Sequence, residues 1–164
     1  MVKKDHEFYE LAKLRKYKIQ EVTKEDFRKN ISHRLMGISK ASKKEVSFSI
    51  LLRRQTKPSK YSDNWAWVEF KKNRSTAGWI YGKADFVAFE TRNEYVIISS
   101  KVLLHFLNTS SKIRYDLPFV KEPRYARYKI QKDKNGREST QVSFRDLKKL
   151  KGVQIWKKKN ERSA

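Results

Sequence analysis

The chain has 164 residues, 38% of them hydrophobic, which is enough for one compact domain with a core of its own and too little for two. Lys and Arg total 40 against 18 Asp and Glu, a formal charge of +22, so the expected partner is a polyanion, nucleic acid ahead of an anionic membrane surface. Zero cysteines exclude disulfides and thiolate metal sites and fit a reducing cytoplasm; His6, His33 and His105 are too scattered for a His-rich zinc site, and neither a membrane span nor a secretion leader is expected.

From Asp5 to about Ile19, the spacing of Phe8, Leu11, Ala12 and Leu14 among Lys13, Arg15, Lys16 and Lys18 predicts an amphipathic helix. Thr23 reads as an N-cap with an acidic first turn, Glu25 and Asp26. Phe27, Ile31 and Leu35 at i, i+4 and i+8 then carry a second helix to a stop at Gly37. Arg28, Lys29 and Arg34 lie off that stripe, as a solvated face would. A Ser/Lys loop over 38–45 leads into Val46, Phe48 and Ile50, whose alternation predicts a strand to about Arg54. The basic stretch "RQTKPSKYSDN" reads as a loop. Strands follow at Trp65–Lys71, Asp85–Thr91 and Glu94–Ser99, with Arg92-Asn93 as the tight turn between the last two.

Ser99 or Ser100 then caps a helix that packs Val102, Leu103, Phe106 and Leu107 inward. Tyr125–Gln131 and Thr140–Phe144 flank a hairpin turn on Asn135-Gly136. "SFRDLKKL" is a short capped helix, and residues 151–164 form a basic tail expected to fray. The order of elements predicts a single domain over 1–164 of the α/β or α+β class, a mixed, mainly antiparallel sheet flanked by helices.

Chemistry concentrates on the strand Trp65–Lys71. Ala66, Val68 and Phe70 point one way as core residues; Trp65, Trp67, Glu69 and Lys71 point the other. Glu69 and Lys71 are then neighbours on one face, about 6–7 Å apart at ~3.3 Å per residue. A carboxylate there can hold Mg²⁺, and an ammonium two residues on can orient or deprotonate an attacking water. Mg²⁺ demands more oxygen ligands, and Asp63 and the Phe70 carbonyl are the nearest. The same E-x-K pattern also suits a solvent-facing Glu–Lys pair.

"SDNWAWVEFKKN", "GWIYGKADFVAFE" and "EYVIISSKVLLHFL" in succession, over roughly residues 61–107, resemble the PD-(D/E)XK nuclease superfamily, in particular its small phage and bacterial members. The resemblance implies a restriction-endonuclease-like core of helix, three strands, helix and strand, with Mg²⁺- or Mn²⁺-dependent hydrolysis of DNA phosphodiester bonds. Carried over by position, it makes Asp63 and Glu69 the acidic metal ligands and Lys71 the catalytic lysine. Some members add a Glu from the first helix, where Glu7 and Glu10 stand here outside any matching motif. This sequence departs from the pattern at Ser62, where the family has Pro, and in the short gap from Asp63 to Glu69. Six straight steps span about 20 Å, so a shared metal requires a sharp turn at Ser62–Asn64, or another acid such as Glu10, Glu45 or Asp85.

Asp85 reads either as a spare carboxylate near the metal or as a turn residue bonding backbone amides. Gly78 and Gly82 read as sites of sharp turning or close approach, since no Walker spacing is present. Trp79 and Tyr81 suit base stacking or the core. Phosphate contacts are expected from the basic residues of 51–74 and 112–137 and the cations beside them, with Arg53, Arg54, Lys57, Lys60, Lys72, Arg74, Lys83, Lys112 and Arg114 as the candidates. The leading expectation is thus a DNA endonuclease. A nucleic-acid-binding protein that keeps the fold without a metal site stands next, and a protein whose charge blocks another machine's nucleic-acid site stands third. The oligomeric state is left open.

Overall fold

Two periodicities compete in the N-terminal third, and the structure resolves them. The computed structural model describes residues 5–54 and 64–159. The first apolar stripe folds as α1 (His6–Leu14), burying Phe8, Leu11 and Ala12. It ends earlier than the spacing predicts: Lys16 adopts a left-handed φ of 66°, and the chain enters β1 (Lys18–Gln20).

The expected second helix is only α2 (Lys24–Arg28), held by a reciprocal capping box between Thr23 and Asp26. Asn30, at φ 60°, turns the chain out of it, and residues His33–Ile38 form β2. Ile31 and Leu35 satisfy the helical spacing, yet Ile31, His33, Leu35 and Gly37 are all buried at alternate positions. The period of two prevails because an antiparallel partner is available. Gly37 is therefore a mid-strand residue, not a helix stop. The Tyr17 ring lies across it, 2.6 Å from where a Cβ would sit.

The remaining elements are β3 (Glu45–Arg54), β4 (Trp65–Lys71), β5 (Phe86–Glu90), β6 (Glu94–Ser99), α3 (Ser100–Thr109), β7 (Gln131–Lys132), β8 (Glu138–Ser143), α4 (Phe144–Leu147) and β9 (Gln154–Lys157). They form a mixed α+β fold with two sheets. The larger has the order β1-β2-β3-β5-β6-β9, with β3 and β5 its one parallel pair; the smaller is antiparallel, β4-β8-β7. The stretch expected to fray corrects in part: Gln154–Lys157 pairs with β6, and Trp156 is buried against Phe8 and Tyr17. Apolar ring area at an otherwise basic terminus is what docks it.

The six-stranded sheet is apolar on both faces. One side, with Leu51, Val87, Phe89, Val96 and Ile98, joins the small sheet's Ala66 and Val68 and the helix residues Leu103, Leu107 and Leu147. The other, with Ile50, Ala88, Tyr95 and Ile97, takes α1 and Trp156. Each fully buried Val or Leu contributes roughly 1.5–3 kcal/mol. Strand alternation continues to the end of β3, so Arg53 follows Leu51 towards the small sheet and Arg54 follows Leu52 towards α1.

Candidate nucleic-acid interface

The strand carrying Glu69 and Lys71 is β4, and its pairing with β8 separates the two residues. Ala66, Trp67, Val68 and Glu69 pair in register with Val142, Gln141, Thr140 and Ser139, but Lys71 pairs with Glu138. Phe70 is the extra residue of a bulge. Because paired residues share a face, Glu69 lies on the Ser139 side and Lys71 on the opposite, Glu138 side. The uniform alternation expected of the sequence stops at Phe70.

Gly78 accounts for the irregularity. It packs so tightly on the bulge that a Cβ would sit 2.1 Å from the Glu69 carbonyl oxygen, and its N–H donates to the Phe70 carbonyl at 2.8 Å. The side chains follow the register. Glu69 Oε2 is 3.4 Å from Arg137 Nε, whereas Lys71 Nζ and Lys132 Nζ each lie 3.8 Å from Glu138 Oε1.

The other acids are occupied elsewhere. Asp85 Oδ2 accepts from the Ser49 N–H and hydroxyl at 2.9 and 3.0 Å, tying β5 to β3 in the backbone-bonding role. Glu45 pairs with Lys18 at 3.1 Å, at the opposite end of β3 from Arg53. Glu7 and Glu10 belong to α1, beyond the six-stranded sheet from β4. Asp63 lies outside the described residues. Among the described residues no three acids or histidines gather as a metal would need. Glu69 is paired with Arg137 and Lys71 is turned to the other face, so the described residues do not assemble the Mg²⁺ ligand set that the resemblance implies.

The expected phosphate contacts divide sharply. Arg54, expected to contact phosphate, lies beside α1, bonded to Asp5 and paired with Glu90 at 3.2 Å. Lys112 Nζ donates to both Asp146 oxygens at 3.0 and 2.9 Å, and Arg114 forks onto Asp116 at 3.0 and 2.9 Å. Lys72, Arg74 and Lys83 are exposed and have no carboxylate within 4 Å among the described residues. Lys57 and Lys60 lie outside the described residues. Arg53 is half-buried, its guanidinium 5.1 Å above the buried Trp79 ring.

Within the expected region 112–137, further basic residues join Lys112 and Arg114. Residues 112–137 fold back on the small sheet: Arg114 bridges to Lys129, Val120 to Gln131 and Arg127 to Gln141. Cations cover its rings, with Arg127 4.7 Å over Trp65, Arg124 4.8 Å over Tyr125 and Lys132 5.1 Å over Phe119. Tyr115 is half-exposed, yet its hydroxyl donates to the Leu107 carbonyl at 2.8 Å and its ring meets Phe70 at 5.8 Å. Burial, with Tyr81 nearby, raises its pKa to about 12. Tyr128 donates to Asp146 and accepts from the Ser143 N–H at 3.1 Å, so burial and that carboxylate hold it at about 12 as well. The alternation of basic residues and tyrosines in "RYARYKIQK" is the sequence signal that could have named these residues one by one.

Of the two aromatics with open readings, Trp79 is buried and Tyr81 is half-exposed. No described helix is long and apolar enough to cross a membrane. Comparison with protein-family models, with curated proteins and with solved structures finds no match for the chain.

Proposed function

We propose that the protein binds DNA, without cutting it, on the surface formed by the small sheet and residues 112–137. The observation that carries this reading is the placement of charge with exposed rings. The segment holds nine Lys and Arg against three Asp and Glu, and Tyr115, Phe119 and Tyr125 stand more than half exposed on it. Cations neutralise phosphates and release counterions, while ring faces accept unpaired bases. Arg127, Lys121, Lys129 and Lys134 are exposed and free of carboxylates within 4 Å among the described residues, so their charge is available to a ligand.

The linear order of β4, the Gly78-Trp79-Ile80 segment, β5, β6 and α3 supports a relationship to the restriction-endonuclease-like core. The pairing of β4 with β8, not β5, weighs against it. The fate of Glu69 and Lys71 favours binding over hydrolysis.

The test is fluorescence anisotropy with labelled single- and double-stranded oligonucleotides, together with plasmid incubated in Mg²⁺, Mn²⁺ or EDTA. Binding should weaken by about 10³–10⁵-fold between 50 and 200 mM salt if ~6–10 phosphates are neutralised. Plasmid should stay intact in all three buffers. Metal-dependent nicking abolished by Glu69→Ala would restore the nuclease; a flat salt response would remove nucleic acid as partner and favour the blocking protein.

A further inference from the structure

Strand alternation and the β4–β8 register sort the small sheet into two faces. Ala66 and Val68, with Val142 and Thr140 across from them, are fully buried and face the core. Trp65, Trp67 and Glu69, opposite Ser143, Gln141 and Ser139, make the other face. Its two indoles are half-buried, and neither belongs to an apolar core cluster of the described residues. Packing against the core therefore does not account for them. The carboxylate that β4 adds to this face, Glu69, is answered by Arg137 at 3.4 Å.

Residues 126–128 run beside β8 and bring a further cation to the same face. Arg127 bridges in parallel to Gln141, the partner of Trp67, and its guanidinium lies 4.7 Å over the Trp65 ring. Tyr128, the next residue, meets the same indole edge-on at 5.6 Å. Consecutive side chains of an extended chain point to opposite faces. Both reach Trp65 here because Tyr128 takes a left-handed φ of 57°. That conformation is costly for a bulky residue, and the Tyr128 hydroxyl holds it by bonding Asp146 and the Ser143 N–H. Strain locked in by neighbours collects where a chain positions a binding group. The group positioned here is an indole with an arginine over it.

We propose that this face is a stacking platform for single-stranded DNA, with unpaired bases on Trp65 and Trp67 and Arg127 on the phosphate between them. The platform rests on the DNA-binding reading and deepens it by naming the unpaired strand as the form bound. Rings two residues apart on one strand face stand about 6–7 Å apart at ~3.3 Å per residue. Bases along a duplex strand follow at about 3.4 Å and stay stacked on one another. Only a strand without a partner can open its bases to both rings. A base–aromatic stack outweighs an exposed cation–π contact, so a base displaces the Arg127 guanidinium, which turns its fork to the phosphate.

The test uses the full chain and three labelled probes of equal length: a thymidine oligonucleotide, the same sugar-phosphate strand without bases, and a duplex. The thymidine strand should bind about tenfold more tightly than the abasic strand, which carries the same charge, and more tightly than the duplex. Trp67→Leu, first checked for wild-type thermal unfolding, should cut that preference about fivefold and keep the wild-type salt slope, because no cation is lost. Fluorotryptophan in place of the four tryptophans reads the face without a mutation. The fluorine resonances of Trp65 and Trp67 should move with the thymidine strand and not with the abasic one, while those of the buried Trp79 and Trp156 stay in place. If none of the three probes binds, the nucleic-acid reading falls and the platform with it. The platform alone is overturned if the abasic strand or the duplex binds as well as the thymidine strand. Still Trp65 and Trp67 resonances, or a full preference in Trp67→Leu, would overturn it equally and leave the DNA-binding reading in place.

Discussion

Glu69 and Lys71, two residues apart in β4, lie on opposite faces of the small sheet, because Phe70 is an extra residue that pairing with β8 leaves over. A carboxylate and an ammonium so divided cannot serve one metal-bound water. Lys71→Ala should therefore leave DNA affinity within about threefold of wild type, since one of many cations is lost. Stability should change by no more than about 0.5 kcal/mol, because its ion pair with Glu138 is loose, Lys71 itself is half-exposed, and Lys132 still faces that carboxylate. Anisotropy and urea denaturation measure the two quantities. A metal-dependent cleavage that vanishes in this variant would put Lys71 back in an active site.

Gly78 is the structural cause of that division, and it can be tested directly. Its φ of −74° suits any residue, so the requirement is purely one of space. A Cβ would lie 2.1 Å from the Glu69 carbonyl oxygen and 2.6 Å from the Phe70 carbonyl carbon, both backbone atoms that cannot swing away. Gly78→Ala should cost roughly 3 kcal/mol, at the upper end of overpacking effects, and weaken DNA binding by displacing Glu69 and Trp79. Gly152→Ala is the contrast. It meets nothing within 4 Å, and its cost comes only from a φ of +74°, about 1–2 kcal/mol. Denaturation midpoints of the two variants give the comparison.

Asp26 makes acid stability testable. It accepts from Arg34 Nε and Nη2 at 2.9 and 2.7 Å and from the Thr23 N–H at 3.0 Å. The Arg34 hydrogen bonds, then that backbone donor, hold its carboxyl well below the usual carboxylate range. A folded pKa below the unfolded value of about 3.9 stabilises above that pH and loses its effect as pH falls through the folded value. Melting temperature should hence drop on the acid side of pH 4, and Asp26→Asn should lower it at neutral pH while flattening this part of the acid limb. Thr23→Ala removes only the cap, and should cost about 1 kcal/mol at every pH above that window.

Strands β3 to β6 were legible because their alternation had a single reading, and the Asn135-Gly136 turn because Gly136 takes a positive φ. Residues 27–37 were not, since Phe27, Ile31 and Leu35 fit a helical stripe while Ile31, Leu35 and Gly37 fit a strand. The partner that decides between them, β3, is a non-local fact. The bulge at Phe70 was likewise hidden, being imposed by a glycine eight residues later. Trp156 looked like part of a basic tail until the ring of Phe8, from the first helix, was found stacked on it at 5.5 Å. For the candidate site, sequence reading picked out the basic region 112–137, but it could not say which cations were already spent on carboxylates.

That distinction gives the last prediction. Arg114 is bound at both ends of its fork by Asp116, so it reaches a phosphate only by giving up two hydrogen bonds it already has. Arg127 sits over Trp65 with its charge unpaired by any carboxylate within 4 Å among the described residues. Removing Arg114 and Asp116 together leaves the net charge unchanged, and the Arg114→Ala/Asp116→Ala variant should bind DNA as wild type does. Arg127→Ala removes a free cation and uncovers the indole, and should weaken binding across all sequences while lowering the salt slope by about one. Slopes of log affinity against log salt for the two variants decide the matter. Equal losses would mean that the +22 charge acts only as a diffuse field, and that where each cation sits on the small sheet is of no consequence.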